Sequence, residues 1–321
     1  MNKNNILLSV LITLFVFICV FQKVFFSIRN DATLNVVEGD NAKIVGRKLK
    51  NDKSIINQKS FYAYFKMMAF LSSCNKIHTG EYNINKGESF FEVCNKLCRG
   101  LSNNKTLTIP EGLMTFQVID LINANKNLSG DKIKYAVEGN LLPETYTFKS
   151  GTKRNQLLST MVADFEKFFT KEWKNRNTKN CILANDYDAI ILASIVEAEA
   201  KTDAEKPIIA SVYLNRLRKN MKLQADPTSI YEITKGKYKL NRPLTLKDLK
   251  IKGYYNTYEK YGLPVAPICN PGKKSIQAVM HPATTEYLYF VAKEDLNGHY
   301  FAKTYEEHLQ NIKLIRQKKS K

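Results

Sequence analysis

Ala189–Asp226 places one carboxylate, Glu197, inside a run of isoleucines, valines and alanines (AIILASIVEAEA) and follows it with Asn215, Arg216, Gln224 and Asp226. An acid in apolar surroundings is costly to ionise, so burial is expected to raise its pKa. That is the condition a general acid needs to hold a proton near neutral pH. The rival reading is an acid paired with a nearby cation, Lys201 or Arg216. Gln224 and Asp226 stand just ahead of a turn fixed by Pro227. Tyr254-Tyr255-Asn256-Thr257-Tyr258 supplies aromatic faces beside amide and hydroxyl groups, a mixture suited to sugar rings and equally to a well-packed loop. His281 and His299 could serve as bases or as structural groups. Four histidines without paired spacing give no metal-site pattern, so no cofactor is expected.

The elements that must hold these groups can be read from periodicity. Ile191, Ile195 and Ala198 share one helical stripe, and Ala189, Leu192, Ala193, Val196 and Ala200 form another, so a helix over about 186–200 should be buried on most sides. A second helix is expected over about 204–219. Further helices are expected over 41–51, 60–74, 90–98, 115–124, 132–138, 156–174, 275–280 and 305–316. Strands are expected at 33–37, 82–84 and 107–109. A hairpin should join 286–293 to 299–302 across Asn297-Gly298. Val36-Val37-Glu38-Gly39 and Ile109-Pro110-Glu111-Gly112 each precede a helix, which suggests one strand-turn-helix module used twice.

The chain of 321 residues carries a net charge of +19, which favours an anionic partner: nucleic acid, a phospholipid surface or an acidic polymer. A lysine-rich genome would give the same composition without functional meaning. Neither an aromatic RNA-binding box nor a Cys/His zinc pattern is present, so nucleic acid is not the expected partner. Ile6–Phe21 is apolar apart from Ser9 and Thr13, and Val24–Phe26 extends it to about 20 residues, enough to span a bilayer. No small-residue cleavage site follows, so an uncleaved anchor is expected in preference to a signal peptide. Charges at its two ends leave its orientation open. The six cysteines force no framework. Cys94 and Cys98, on one face of a helix, are poorly placed to bond each other, and buried thiols or an extracytoplasmic disulfide are both open.

The ordered motifs SIVEAEA, ASVYLNRL, LQADPTSIY, YNTY, GLP, NPG, HPA, YLYFVA and GHYF resemble the endolytic murein transglycosylases of the MltG (YceG-like) family, from about Leu34 to Asn311. The resemblance implies an α+β fold: an anchor over 1–31, a LysM-like α/β module over 32–103 and a mixed α+β catalytic domain over 104–321. It implies a single-pass inner-membrane protein whose catalytic domain lies outside the cytoplasm. The implied reaction cleaves the β-1,4 bond from N-acetylmuramic acid to N-acetylglucosamine, leaves a 1,6-anhydro end, and terminates nascent strands. The implied partners are peptidoglycan strands and their synthases. By matching, Glu197 takes the place of the catalytic glutamate. Gln224, Asp226, Tyr255 and Asn256 would line the glycan groove, with Glu144 and Tyr146 of LPETY nearby, while Asn215 and Arg216 would brace the helix pair. A non-catalytic peptidoglycan-binding scaffold is the alternative, and a hydrolase using Glu197 with Asp226 is a third reading.

Overall fold

A computed structural model describes residues 26–72 and 76–319. In the first compact unit, strand β1 (Ala32–Val36) pairs antiparallel with β2 (Gly80–Ile84), with Leu34 opposite Tyr82. Alternation turns Leu34, Val36, Tyr82 and Ile84 inward onto helices α1 (Ala42–Asn51), α2 (Gln58–Ser72) and α3 (Phe90–Arg99). Both α1 and α3 begin where the sequence offers a side-chain acceptor. Asn41 caps α1, and Ser89 with Glu92 forms a reciprocal capping box on α3. Ile28 is buried in this core and Phe26 packs against it, ahead of the start expected at residue 32. The expected membrane anchor over 6–21, together with Cys19 and Cys74, lies outside the described residues. No helix among the described residues is long and apolar enough to cross a membrane.

The second unit is built round α6 (Asp186–Glu199), in which every residue from Ala189 to Val196 is buried. Helices α5 (Arg154–Lys174), α7 (Lys206–Arg218) and α9 (Lys273–Met280) enclose a core that includes Phe165, Leu192, Ile195, Ile209, Tyr213 and Val279. The same unit holds α4 (Thr115–Ala124), α8 (Asp226–Thr234), the hairpin of β5 (Tyr289–Ala292) and β6 (His299–Ala302), and α10 (Tyr305–Lys319). The hairpin pairs where expected, with Phe290 opposite Phe301.

Strand β3 (Asn104–Thr108) pairs with β4 (Thr145–Lys149). The first unit comprises the chain up to Thr106 together with Lys126–Gly130 and Thr147–Lys153, and the second comprises the rest, so the chain passes between them five times. Both V/I-x-E-G segments form the same local structure: a strand, a turn with a left-handed glycine (Gly39 φ 93°, Gly112 φ 74°) and a helix.

Two expected elements differ. Residues 132–138 form no helix, because side chains from outside the segment take its backbone and its acid. Asn123 accepts the Ile133 N–H and donates to the Ile133 carbonyl, both at 2.9 Å. The expected turn at Asp226-Pro227 instead opens α8, with Pro227 in its first turn, where a missing N–H costs nothing. Its β-branched Thr228, Ile230, Ile233 and Thr234 hide it from a propensity argument.

Candidate active site

The two acids at the end of α6 lead to different places. The Glu197 side chain is 8% exposed and fully engaged. Its Oε2 accepts the Gly272 N–H at 2.9 Å and the Ser275 hydroxyl at 2.7 Å, and Lys206 Nζ stands 3.4 Å from Oε1. Lys206 is itself buried and also meets Asp203 at 2.9 Å and Glu111 at 3.4 Å. Burial pulls the Lys206 pKa down, but hydrogen bonding to Asp203 and the charges of Glu197 and Glu111 outweigh it and raise it. The ion-pair reading of Glu197 therefore has a partner that sequence proximity did not suggest: Lys206 rather than Lys201 or Arg216.

Glu199, two residues on, lines an open pocket of about 390 Å³ together with Lys201, Tyr213, Arg216, Gln224, Asp226, Tyr258 and His299; Glu197 is not among the lining residues. The Tyr213 hydroxyl donates to Glu199 Oε1 at 3.1 Å. Burial first, and then the charge of Asp226, push the Glu199 carboxyl up to about 7, against the Tyr213 hydrogen bond and the charges of Lys201 and Arg216. A carboxyl tuned there can hold a proton and still release it at neutral pH.

Asp226 sits at the start of α8 and accepts the Tyr258 hydroxyl at 2.6 Å. Burial, then Asp226, raise Tyr258 well above the ordinary phenol range, so it remains a donor. Gln224 is exposed beside it in a left-handed conformation (φ 49°), held by its N–H bond to the Thr257 carbonyl at 3.2 Å. A non-glycine residue held there stores strain of about 1 kcal/mol, a cost that recurs at ligand sites.

The other expected groove residues do not line this pocket. Asn256 is fully buried, donating to the Leu249 and Ile251 carbonyls and accepting from Ser229 and the Tyr258 N–H. It shapes the YNTY loop and leaves no face for a sugar. Tyr255 packs on Tyr231 at 4.6 Å between ring centres. Tyr146 is buried with its hydroxyl on the Leu142 carbonyl at 2.7 Å, and Glu144 pairs with Lys273. Asn215 and Arg216 do brace α7, but against the hairpin approach: Asn215 binds the Thr285 and Tyr287 carbonyls, and Arg216 those of Leu288 and Leu223.

Asn270 is a hub that residue-type reasoning passed over within the NPG motif. It accepts the Leu141 N–H and donates to the Leu113 carbonyl and Thr115. Thr115 in turn donates to Glu138 through both its N–H and its hydroxyl at 2.8 Å. Burial raises the Glu138 pKa despite these bonds. Tyr213 was missed as a pocket residue, and Tyr258 was singled out only as part of the Tyr254–Tyr258 aromatic run.

A buried helix thus ends in an acid that opens on a cleft of carboxylate, amide, phenol and imidazole groups, a set able to hold and transfer a proton. The profile of the YceG-like family matches residues 34–314, and the chain belongs to that family. It is similar to the endolytic murein transglycosylase of Bacillus subtilis (strain 168), at 30% identity over 313 residues covering 87% of this chain and 83% of that protein. It is also similar to the endolytic murein transglycosylase of Streptococcus pneumoniae serotype 2, at 26% identity over 87% of this chain; the matched region spans 57% of the pneumococcal protein. A 2.6 Å crystal structure of a YceG-like protein from Listeria monocytogenes aligns with a TM-score of 0.55 at 28% identity, covering 88% of this chain and 99% of that one.

Proposed function

We propose that this chain is a lytic transglycosylase acting within peptidoglycan glycan strands, with Glu199 as its acid and base. The observation that carries the reading is the placement of Glu199, rather than Glu197, in the open pocket with its pKa near neutrality. This reading moves the acid and base role expected at Glu197 to Glu199. Glu199 donates its proton to the oxygen of the β-1,4 bond, and the bond from that oxygen to the muramoyl C1 breaks. The muramoyl C6 hydroxyl attacks C1 and returns its proton to Glu199, so the enzyme is regenerated and no water is consumed. Because the nucleophile belongs to the substrate, its effective concentration is high and a second catalytic carboxylate is not obligatory. Asp226, beside the acid, is suited to face the positive charge that develops at C1.

Anchoring in the inner membrane, with the folded part outside the cytoplasm, belongs to the same proposal. Ile6–Phe21 supports the anchor, and Cys98, which is disulfide-bonded, supports an oxidising compartment. A LysM-like role for the first unit, termination of nascent strands and association with peptidoglycan synthases complete it.

The test digests purified glycan strands and determines the masses of the new ends. Anhydro ends from the wild type, lost in Glu199→Gln and retained in Glu197→Gln at permissive temperature, are expected. Reducing ends would establish hydrolysis instead, and absence of products would favour a binding scaffold. Loss in Glu197→Gln with full activity in Glu199→Gln would return the role to Glu197.

A further inference from the structure

The histidine of the hairpin is held more tightly than its place in a strand requires. Glu205, just ahead of α7, takes both polar groups on one side of His299. Its Oε1 accepts the His299 backbone N–H at 2.6 Å, and its Oε2 lies 3.0 Å from ring Nδ1. A carboxylate partner places a proton on Nδ1 and fixes the ring's rotation. The ring packs edge-on against Phe290, with centres 5.2 Å apart, and tilts against Phe301. Gly298 permits this approach: a Cβ there would lie 2.5 Å from Glu205 Oε1, and its φ is 125°. The His299 side chain is only 4% exposed, yet the residue lines the pocket that contains Glu199. Nε2 has no hydrogen-bond partner among the described residues, whereas Nδ1 is taken. Glu205 itself is not a lining residue.

We infer that His299 is a substrate-contacting residue whose Nε2 forms a hydrogen bond with a hydroxyl of the sugar held beside Glu199, and that Glu205 is the positioning residue that aims it. The inference rests on the pocket being the glycan site. A hydroxyl both donates and accepts, so the contact forms with either protonation state of Nε2. The purely structural alternative is that Glu205 only ties the hairpin to the start of α7.

Variants at His299 separate the two roles. In His299→Asn the shorter amide can still donate to Glu205 while the group at Nε2 is lost; His299→Gln carries an amide out to the Nε2 position. On glycan strands, His299→Asn should raise KM tenfold or more with kcat changed by less than about threefold, at an unchanged melting temperature. His299→Gln should recover most of that loss. Wild-type kinetics in a folded His299→Asn overturns the inference.

A second measurement covers failure of that variant to fold. The chain has four histidines, so the full-length protein in detergent with 15N-labelled histidine gives an assignable spectrum. In a Glu199→Gln background, a GlcNAc–MurNAc tetrasaccharide should shift Nε2 of His299 and leave Nδ1 in place. Saturating binding without that shift also overturns the inference. Glu205→Gln should move the proton from Nδ1 to Nε2 in the same spectrum and raise KM. If the wild type binds the tetrasaccharide but yields no anhydro ends, the lyase reading fails while the Nε2 shift still decides the contact.

Discussion

Glu197 and Glu199 are two residues apart on one helix, and that offset, close to 200° of helical rotation, sends their carboxyls to opposite sides. The sequence reading put the acid at the end of an apolar helix and chose Glu197, but a choice between the two glutamates depends on where Lys206 and the pocket lie. Both stand in the last turn of α6, which has no basic residue to balance the partial negative charge of its carbonyl end. That field also disfavours ionisation and adds to burial in keeping Glu199 protonated. Its pKa of about 7 lies above the ordinary 4.5, so the folded state binds this proton more tightly than the unfolded chain. The resulting stability is fully present below the unfolded value and lost as pH rises through about 7. Glu199→Gln should therefore melt like the wild type near pH 4 and be more stable at pH 8, by on the order of 2 kcal/mol. Thermal melts across pH check this, and equal melting at pH 8 would contradict it. Lys206→Ala should act in the opposite direction. It strands Glu197 without its buried cation and should cost about 3 kcal/mol by denaturant unfolding, with activity per folded molecule largely kept.

At the scale of elements, long periodic helices and the hairpin were legible, and the connections that aim the site were not. The segment 132–138 has helical periodicity, but Asn123 clamps Ile133 and Glu138 is drawn to Thr115, tertiary bonds that no local window contains. The same holds for Asn256, whose type suits a sugar ligand but whose four bonds are all internal. Gly139, next to Glu138, has φ 84°, and a Cβ there would lie 2.6 Å from Pro267 Cβ. Gly151 has a nearly identical φ of 85° and nothing within 4 Å. Both alanine variants carry the left-handed strain of roughly 1 kcal/mol, but only Gly139→Ala adds the steric clash, for a total of about 3 kcal/mol or more. Chemical denaturation of the pair isolates the close approach; equal losses would show that Pro267 yields freely.

For the whole molecule, the charge of +19 sets a long-range attraction to anionic surfaces that specific pocket contacts do not need. Retention on purified cell-wall sacculi should fall several-fold between about 50 and about 200 mM salt, as surface charges are screened, with little change in the melting temperature. Sedimentation at graded salt measures it, and salt-independent retention would assign binding to the pocket alone. The interleaving of the two compact units was not legible in the sequence, since Lys126–Gly130 and Thr147–Lys153 carry no mark of the unit to which they belong. That interleaving has a consequence in time. A chain emerging from the ribosome has made residues 1–106 long before Lys153, so the first unit must wait, incomplete, while nearly fifty further residues are added. Its maturation is tied to the progress of synthesis, and an arrested chain shorter than about 150 residues would present chaperones and proteases with an unfinished fold.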